Sequence, residues 1–394
     1  MAYHNWEKGG QAKSQSTPGK RGPRRILQMD LLLAGAACAL VIIGLVMVYS
    51  ASSPIALKKF HDPAHYAIRN GIWALLGMIL LAVTSRFSVG TIRALGRLGF
   101  WITILLLVLV LIPGLGLEGG GAKRWLNLGV ITMQPSEPFK VMLVLYIAHF
   151  LSEDPGRVQR FKQGLLPLLL IYAFCALLLL LEPDFGTTFI TGMVLFGMVF
   201  LAGIPLAWIT ALFVAAVPLA AAGVMMAPYR FRRVTSFLDP WDDPQNSDFQ
   251  LVQSLLAFGN GGLKGTGLGQ GQQKQFYLPE SHTDFIFAVI GEELGLFWVM
   301  LIILLFVIII WRAFGIARRN WTTNRYVSLA VSGLILLIAS QAFANMGVVM
   351  GLLPPKGLTL PLVSYGGSSL TITMGMIGLL LAFSRSKPAE DIGL

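Results

Sequence analysis

The residues able to do chemistry in this chain gather at the ends of apolar runs. Residues 278–287 read LPESHTDFIF and place Asp284 against Phe285, Ile286 and Phe287. Desolvation there should raise the carboxyl pKa toward neutrality. His282, two residues earlier, is a lone titratable ring that either caps locally or contacts a substrate. Residues 134–140 read QPSEPFK, so Glu137 and Lys140 share one face of a first helical turn. Asp184 lies in EPDFG, and Lys123, Arg124 and Trp125 stand together in one polar stretch. Near the end come Lys356 and then Ser364, Ser368 and Ser369. Each has a plainer reading as well. Glu137 with Lys140 could be only a helix-start pair. Asp184 and Asp284 could be N-terminal carboxylates that suit a helix dipole. Ser368 and Ser369 could bond the backbone one turn back.

These residues need elements to hold them. The chain has 394 residues, 55% hydrophobic and 12% charged, with mean hydropathy +0.70. Soluble domains carry about 25% charged residues, so this is an all-α polytopic membrane protein. The composition excludes a disordered chain, and two cysteines exclude a disulfide scaffold. Cys38 and Cys175 fall inside apolar runs and read as small core residues. About ten spans are expected, at 30–51, 71–85, 98–113, 137–152, 164–181, 186–203, 206–226, 284–311, 327–350 and 362–384. The second, third and fourth are short.

With the N-terminus in the cytoplasm, Lys and Arg are about twice as dense in the inner segments as in the outer ones, which puts both termini inside. The net charge of +11 then reflects orientation and anionic lipid, not nucleic acid. Residues 1–29 form a basic cytoplasmic tail with a disordered composition, 30–384 the transmembrane domain, and 385–394 a short cytoplasmic tail. One large extracytoplasmic loop, 227–283, separates helices seven and eight. It holds Arg230, Arg232 and Arg233, an amphipathic pattern at Phe249, Val252, Leu255 and Leu256, and a Gly-rich run at 259–271. That run lacks the strand-then-helix setting of a phosphate loop and reads as a flexible turn region.

All the candidate site residues face the outer side in this topology. Charges at a membrane edge are costly and mark functional sites. The surplus of cations there suits an anionic headgroup, phosphate or pyrophosphate, whose lipid tail stays in the membrane. Composition and spacing thus point to an outer-face enzyme or transporter acting on an anionic lipid. A transporter would more often place its polar groups near the midplane. Glu292 and Glu293 are the main deep candidates.

Taken together, residues 278–294 (LPESHTDFIFAVIGEEL), 123–129 (KRWLNLG), 134–140 (QPSEPFK), 182–186 (EPDFG) and 361–369 (PLVSYGGSS) resemble the SEDS family of bacterial cell-wall glycosyltransferases. Residues 237–250 (FLDPWDDPQNSDFQ) and 356–362 (KGLTLPL) are more similar to its cell-division branch than to its elongation branch. The resemblance implies polymerisation of lipid II with an undecaprenyl-pyrophosphate-linked glycan, at the septum of the bacterial inner membrane. The implied partners are the class B penicillin-binding protein FtsI and the division proteins FtsQ, FtsL and FtsB. Asp284 matches the family's essential aspartate. Glu137, Lys140 and Asp184 match polar positions of its cavity, and Lys123 stands where many members have arginine.

An inverting transfer needs a base for the acceptor hydroxyl, and Asp284 is the candidate. Lys123, Arg124, Lys140 and Lys356 would hold the leaving pyrophosphate, alone or with a divalent cation, Mg or Mn. No organic cofactor is expected. Glu137, Asp184 and Asp284 could bind such a cation, or Glu137 and Asp184 could orient the lysines and arginine. A lipid II flippase and a non-catalytic divisome scaffold are the alternatives.

Overall fold

The computed structural model describes residues 30–119, 122–127, 129, 132–225, 241, 249–354 and 356–385. The expected tail at 1–29, most of the one at 385–394, and loop residues 226–240 and 242–248 with Arg230, Arg232 and Arg233 lie outside the described residues. Among the described residues, ten helices of sixteen residues or more form the body. They are α1 (Leu31–Phe60), α2 (His65–Thr84), α3 (Val89–Leu111), α4 (Ser136–Glu153), α5 (Leu166–Leu181), α6 (Phe185–Leu201), α7 (Leu206–Met225), α9 (Ile286–Arg319), α10 (Arg325–Val349) and α11 (Gly367–Ser384). The shorter α8 (Phe249–Gly261) lies in the long loop. Among the described residues, seven helical segments are long and apolar enough to cross a membrane. The fold is an all-α polytopic membrane fold.

Four helix starts carry the side chain that their sequence calls for. Asp30, Ser88, Asp184 and Asn324 each accept the backbone N–H three residues on, at 3.1 Å. The helices pack through small residues, as expected where lipid removes the hydrophobic drive between them. Gly77 of α2 faces Met374, and Gly375 and Gly378 of α11 face Leu80 and Thr84. The most enclosed helices are α10 and α11. At the opposite end from the candidate site, Arg312 of α9 grips both carboxylate oxygens of Asp30 at 3.0–3.1 Å.

Several expectations change. The second and third spans are full-length helices, because α2 begins at His65 and α3 at Val89 and both carry polar residues that hydropathy discounts. The last helix starts at Gly367, so residues 362–366 are loop. The loop before α4 holds a small antiparallel sheet, β1 (Gly116–Gly119), β2 (Ala122–Asn127) and β3 (Thr132–Met133) in that order, an exception to the all-helical reading. Cys38 is exposed on α1, while Cys175 is buried. In α8, Val252 is buried but Leu256 is 41% exposed, so the buried face is Leu251, Val252, Ser254 and Ala257.

The Gly-rich run is a docked segment. It lies against α9 where that helix breaks at Gly295 (φ 78°). The kink frees the Glu292 and Glu293 carbonyls, which accept N–H bonds from Thr266 and Gly267 at 2.9 and 3.0 Å. Gly265, at φ +77°, packs its backbone directly on the backbone of Glu293 and Leu294, where a side chain would collide.

Candidate functional site

Two banks of polar side chains meet at one end of the bundle. On the first, α4 and α6 bring Glu137, Lys140 and Asp184 together. Lys140 donates to Glu137 Oε1 at 2.9 Å, with side chains only 5% and 11% exposed. Asp184 accepts Thr187 N–H with one oxygen and Ser136 O–H, at 3.4 Å, with the other. Gln134 ties this bank to α11 by donating its backbone N–H to Ser368 at 3.2 Å. Ser369 pairs with Thr359 at 3.2 Å. Neither serine is bonded back along its own helix.

The second bank is the loop before α9, with Asp284. Asn345 of α10 donates to the carbonyls of both Asp284 (2.7 Å) and Leu358 (2.5 Å). It thereby joins this loop to residues 356–360. A Cβ at Gly357 would lie 3.0 Å from Asp284 Oδ2, so the backbone of that strip runs directly beside the carboxylate. Leu358 packs on Gly186 at the start of α6, and the Lys356 ammonium sits 4.4 Å from the Phe189 ring. The strip 356–360 therefore touches both banks.

The electrostatics follow from this crowding. Asp284 is half-buried, and the protein around it and the neighbouring Glu280 carboxylate push its pKa up to about 7. Burial lowers the pKa of Lys356, against the pull of Asp184. Burial also lowers that of His282, whose ring packs 4.8 Å from Tyr66 and 5.6 Å from Tyr365. His282 is thus part of an aromatic cluster and not a local cap. Its carbonyl accepts Tyr365 N–H at 3.0 Å.

The remaining expected residues are placed differently. Arg124 donates to the backbone carbonyls of Glu182 and Pro183, bracing the turn that leads to Asp184. Lys123 is exposed on β2, paired across the sheet with Glu118, and Trp125 is half-buried opposite Leu117. Ser364 accepts Leu360 N–H at 2.8 Å within a turn. Glu137, Asp184 and Asp284 do not form a three-residue ligand group. Among the described residues no group of three acidic, histidine or cysteine side chains could hold an ion. Glu292 and Glu293 are fully enclosed and bonded to the Gly-rich segment, so they do not line a polar path through the bundle. Two clefts lie away from both banks. One, of about 410 Å³, is lined by Arg97, Trp101, Tyr146 and His149; the other is an apolar groove of about 450 Å³ along α6, α9 and α10.

Three further residues adjoin the site. Asn345 and Gly357 join the banks, and an amide inside an apolar span, one turn after Gln341, was the available signal for the first. The third is Glu182, which is 1% exposed, with no hydrogen-bond partner for either carboxylate oxygen among the described residues. Burial and the Asp184 carboxylate push its pKa up to about 8, with Arg124 pulling the other way. A carboxyl whose folded pKa exceeds its unfolded one favours folding at low pH. That advantage fades as pH rises from the unfolded value near 4.5 to about 8. Glu182→Gln should therefore stabilise the protein by about 1–3 kcal/mol at pH 8 and leave stability at pH 4 nearly unchanged. Thermal unfolding in detergent at both pH values checks this.

Residues 30–388 match the family described as "Cell cycle protein", FtsW/RodA/SpoVE. A "Probable peptidoglycan glycosyltransferase FtsW" of Geobacter sulfurreducens is 43% identical over 361 residues, 92% of this chain and 96% of the relative. One of the same description from Halorhodospira halophila is 45% identical over 371 residues, 92% of each. Among solved structures, the chain is similar to one described as "Structural coordination of polymerization and crosslinking by a peptidoglycan synthase complex". The TM-score is 0.73 and the identity 32%, over 91% of this chain and 98% of that one. It is also similar to the rod shape determining protein RodA of Thermus thermophilus, with TM-score 0.66 and 29% identity, over 91% and 97% of the two chains. A family match across nine-tenths of the sequence, with relatives this similar over nearly their whole length, makes the chain a member of the SEDS family of FtsW/RodA/SpoVE proteins.

Proposed function

We infer that this protein is a peptidoglycan glycosyltransferase that polymerises lipid II at the outer face of the bacterial inner membrane during division. The names borne by its relatives support the activity. The ten long helices among the described residues and the density of basic residues support ten spans, cytoplasmic termini and an outer loop between α7 and α9. The observation that carries the chemistry is Asp284, a carboxyl whose pKa is raised to about 7 beside a backbone strip that also reaches Lys356 and the Asp184 bank.

In this reading Asp284 accepts the proton of the acceptor hydroxyl as that oxygen attacks the anomeric carbon of the undecaprenyl-linked glycan. The configuration inverts, and the lipid pyrophosphate leaves with the bonding electrons. A base poised near working pH contributes about 10²–10⁴-fold. Lys140 and Lys356 carry the charge nearest the Asp184 bank and would neutralise the pyrophosphate. Arg124 would act through the turn it braces. A divalent cation on the pyrophosphate would be held by one or two of Glu137, Asp184 and Asp284 together with phosphate oxygens, and would add to the charge neutralisation by the lysines.

A similar structure described as a synthase complex that coordinates polymerization and crosslinking supports a crosslinking partner, and the family resemblance gives that partner as the class B penicillin-binding protein FtsI. The smaller division proteins FtsQ, FtsL and FtsB rest on the family resemblance alone. The test is polymerisation of purified lipid II by the protein in detergent with that partner. Glycan that lengthens with time supports the reading. Its absence from an intact complex, with lipid II crossing sealed vesicles instead, would establish the flippase alternative.

A further inference from the structure

The most heavily bonded polar cluster in the described residues lies outside both banks of the site. Lys274 Nζ is 2.6 Å from Glu293 Oε1 and donates to Ser50 Oγ at 2.9 Å. Ser50 donates to Glu293 Oε2 at 2.6 Å. The Lys274 and Glu293 side chains are 5% and 0% exposed. Gly269 N–H also donates to Glu293, and Gln272 and Gln273 N–H donate to Glu292. This cluster joins α1, the segment after α8 and the tip of α9.

The tip of α9 is mechanically distinct. Gly295 breaks the helix, so residues 286–294 do not inherit their orientation from the long shaft that follows. Leu296 N–H bonds to the Gly262 carbonyl instead of within the helix. Asp284 lies immediately before this tip, held at its own carbonyl by Asn345. Glu293 lies nine residues beyond Asp284, about 13 Å along a helical axis, too far to touch the atoms reacting at the aspartate. Two anchors thus define the tip, Asn345 at the start and the Glu293–Lys274–Ser50 triad at the end.

Apolar contacts would hold such a tip as firmly as a buried ion pair does, but they would leave its rotation about its axis loosely defined. Directional bonds fix that rotation. We propose that Glu293 and Lys274, bridged by Ser50, are positioning residues that set the rotation of the α9 tip and thereby aim Asp284 at the acceptor hydroxyl. This rests on the assignment of Asp284 as the base.

The test compares wild type, Lys274→Met, Glu293→Gln and the double variant in reconstituted polymerisation. Each single variant leaves an unmatched polar group buried and is expected to lower protein yield. The double variant removes both charges and should recover yield. If the triad positions Asp284, the double variant still loses about 10²-fold in kcat with KM for lipid II within about threefold. Its acidic pH limb also moves to lower pH, as a rotated Asp284 gains water. The titratable groups around Asp284 are Glu280 and His282 in its own loop and Lys356 in the strip beside it, and none is altered. A double variant with wild-type kcat and pH limb would overturn the proposal.

Hydrogen exchange gives a readout that needs no turnover. Amides of residues 286–294 should lose protection in the double variant, and unchanged protection would overturn the proposal. If wild type makes no glycan, the catalytic reading fails by itself and exchange alone decides whether the triad orders the tip.

Discussion

Asp284→Ala is expected to make no measurable glycan, while protein yield and partner binding stay at wild-type levels. Removing a general base costs about 10²–10⁴-fold, and here the same carboxylate also borders the strip that positions Lys356. Asp284→Asn keeps the shape and loses the proton acceptor, so it should fall as far. The pH profile supplies the sign. A base works when deprotonated, so kcat should fall below about pH 7 with a slope of one, following the raised pKa of Asp284. A profile flat down to pH 5, or substantial polymer from either variant, would remove Asp284 from this role. Raising the pKa brings the base nearer to working pH, and its environment does so by crowding and by Glu280.

The second large effect is expected at Glu137 and Lys140. Their ion pair is nearly enclosed, so Lys140→Met leaves an uncompensated carboxylate and should cost about 3–5 kcal/mol of stability. Glu137→Gln with Lys140→Met removes both charges, and most of that stability should return. Activity should not return, because the charge that receives the pyrophosphate is gone. Thermal unfolding and polymerisation measured on the same preparations separate the two effects. A double variant that polymerises at the wild-type rate would reduce the pair to a helix-start device.

The spans were legible because an apolar run of bilayer length has few other uses. One helix start was legible too, since Asp184 is a short polar acceptor just ahead of an apolar run. What hydropathy cannot do is separate lipid-facing from protein-facing positions, because both environments are apolar. Cys38 on the outside and Cys175 inside show this. Within the site, the carboxylates and lysines announced themselves by charge. Their assembly did not, because Asn345 reaches Asp284 across 61 residues and Lys274 reaches Ser50 across 224. Serines were the least legible. Ser364 closes a turn while Ser368 spans to another loop, and nothing in their type separates them. The Gly-rich run misled for a related reason. Glycine permits a flexible turn and also permits one backbone to lie directly on another, and only the partner at Gly295 distinguishes these.

One carboxamide, that of Asn345, serves the carbonyls of both Asp284 and Leu358. The aspartate loop and the strip carrying Lys356 therefore have no separate adjustment. A shift that re-aims the base also displaces the lysine. Sequence changes on the two segments should then be epistatic, with paired substitutions departing from additivity as contacting residues do. The evolutionary corollary is that this site accommodates a new acceptor through coordinated drift of both segments, and one-at-a-time selection at either of them should stall.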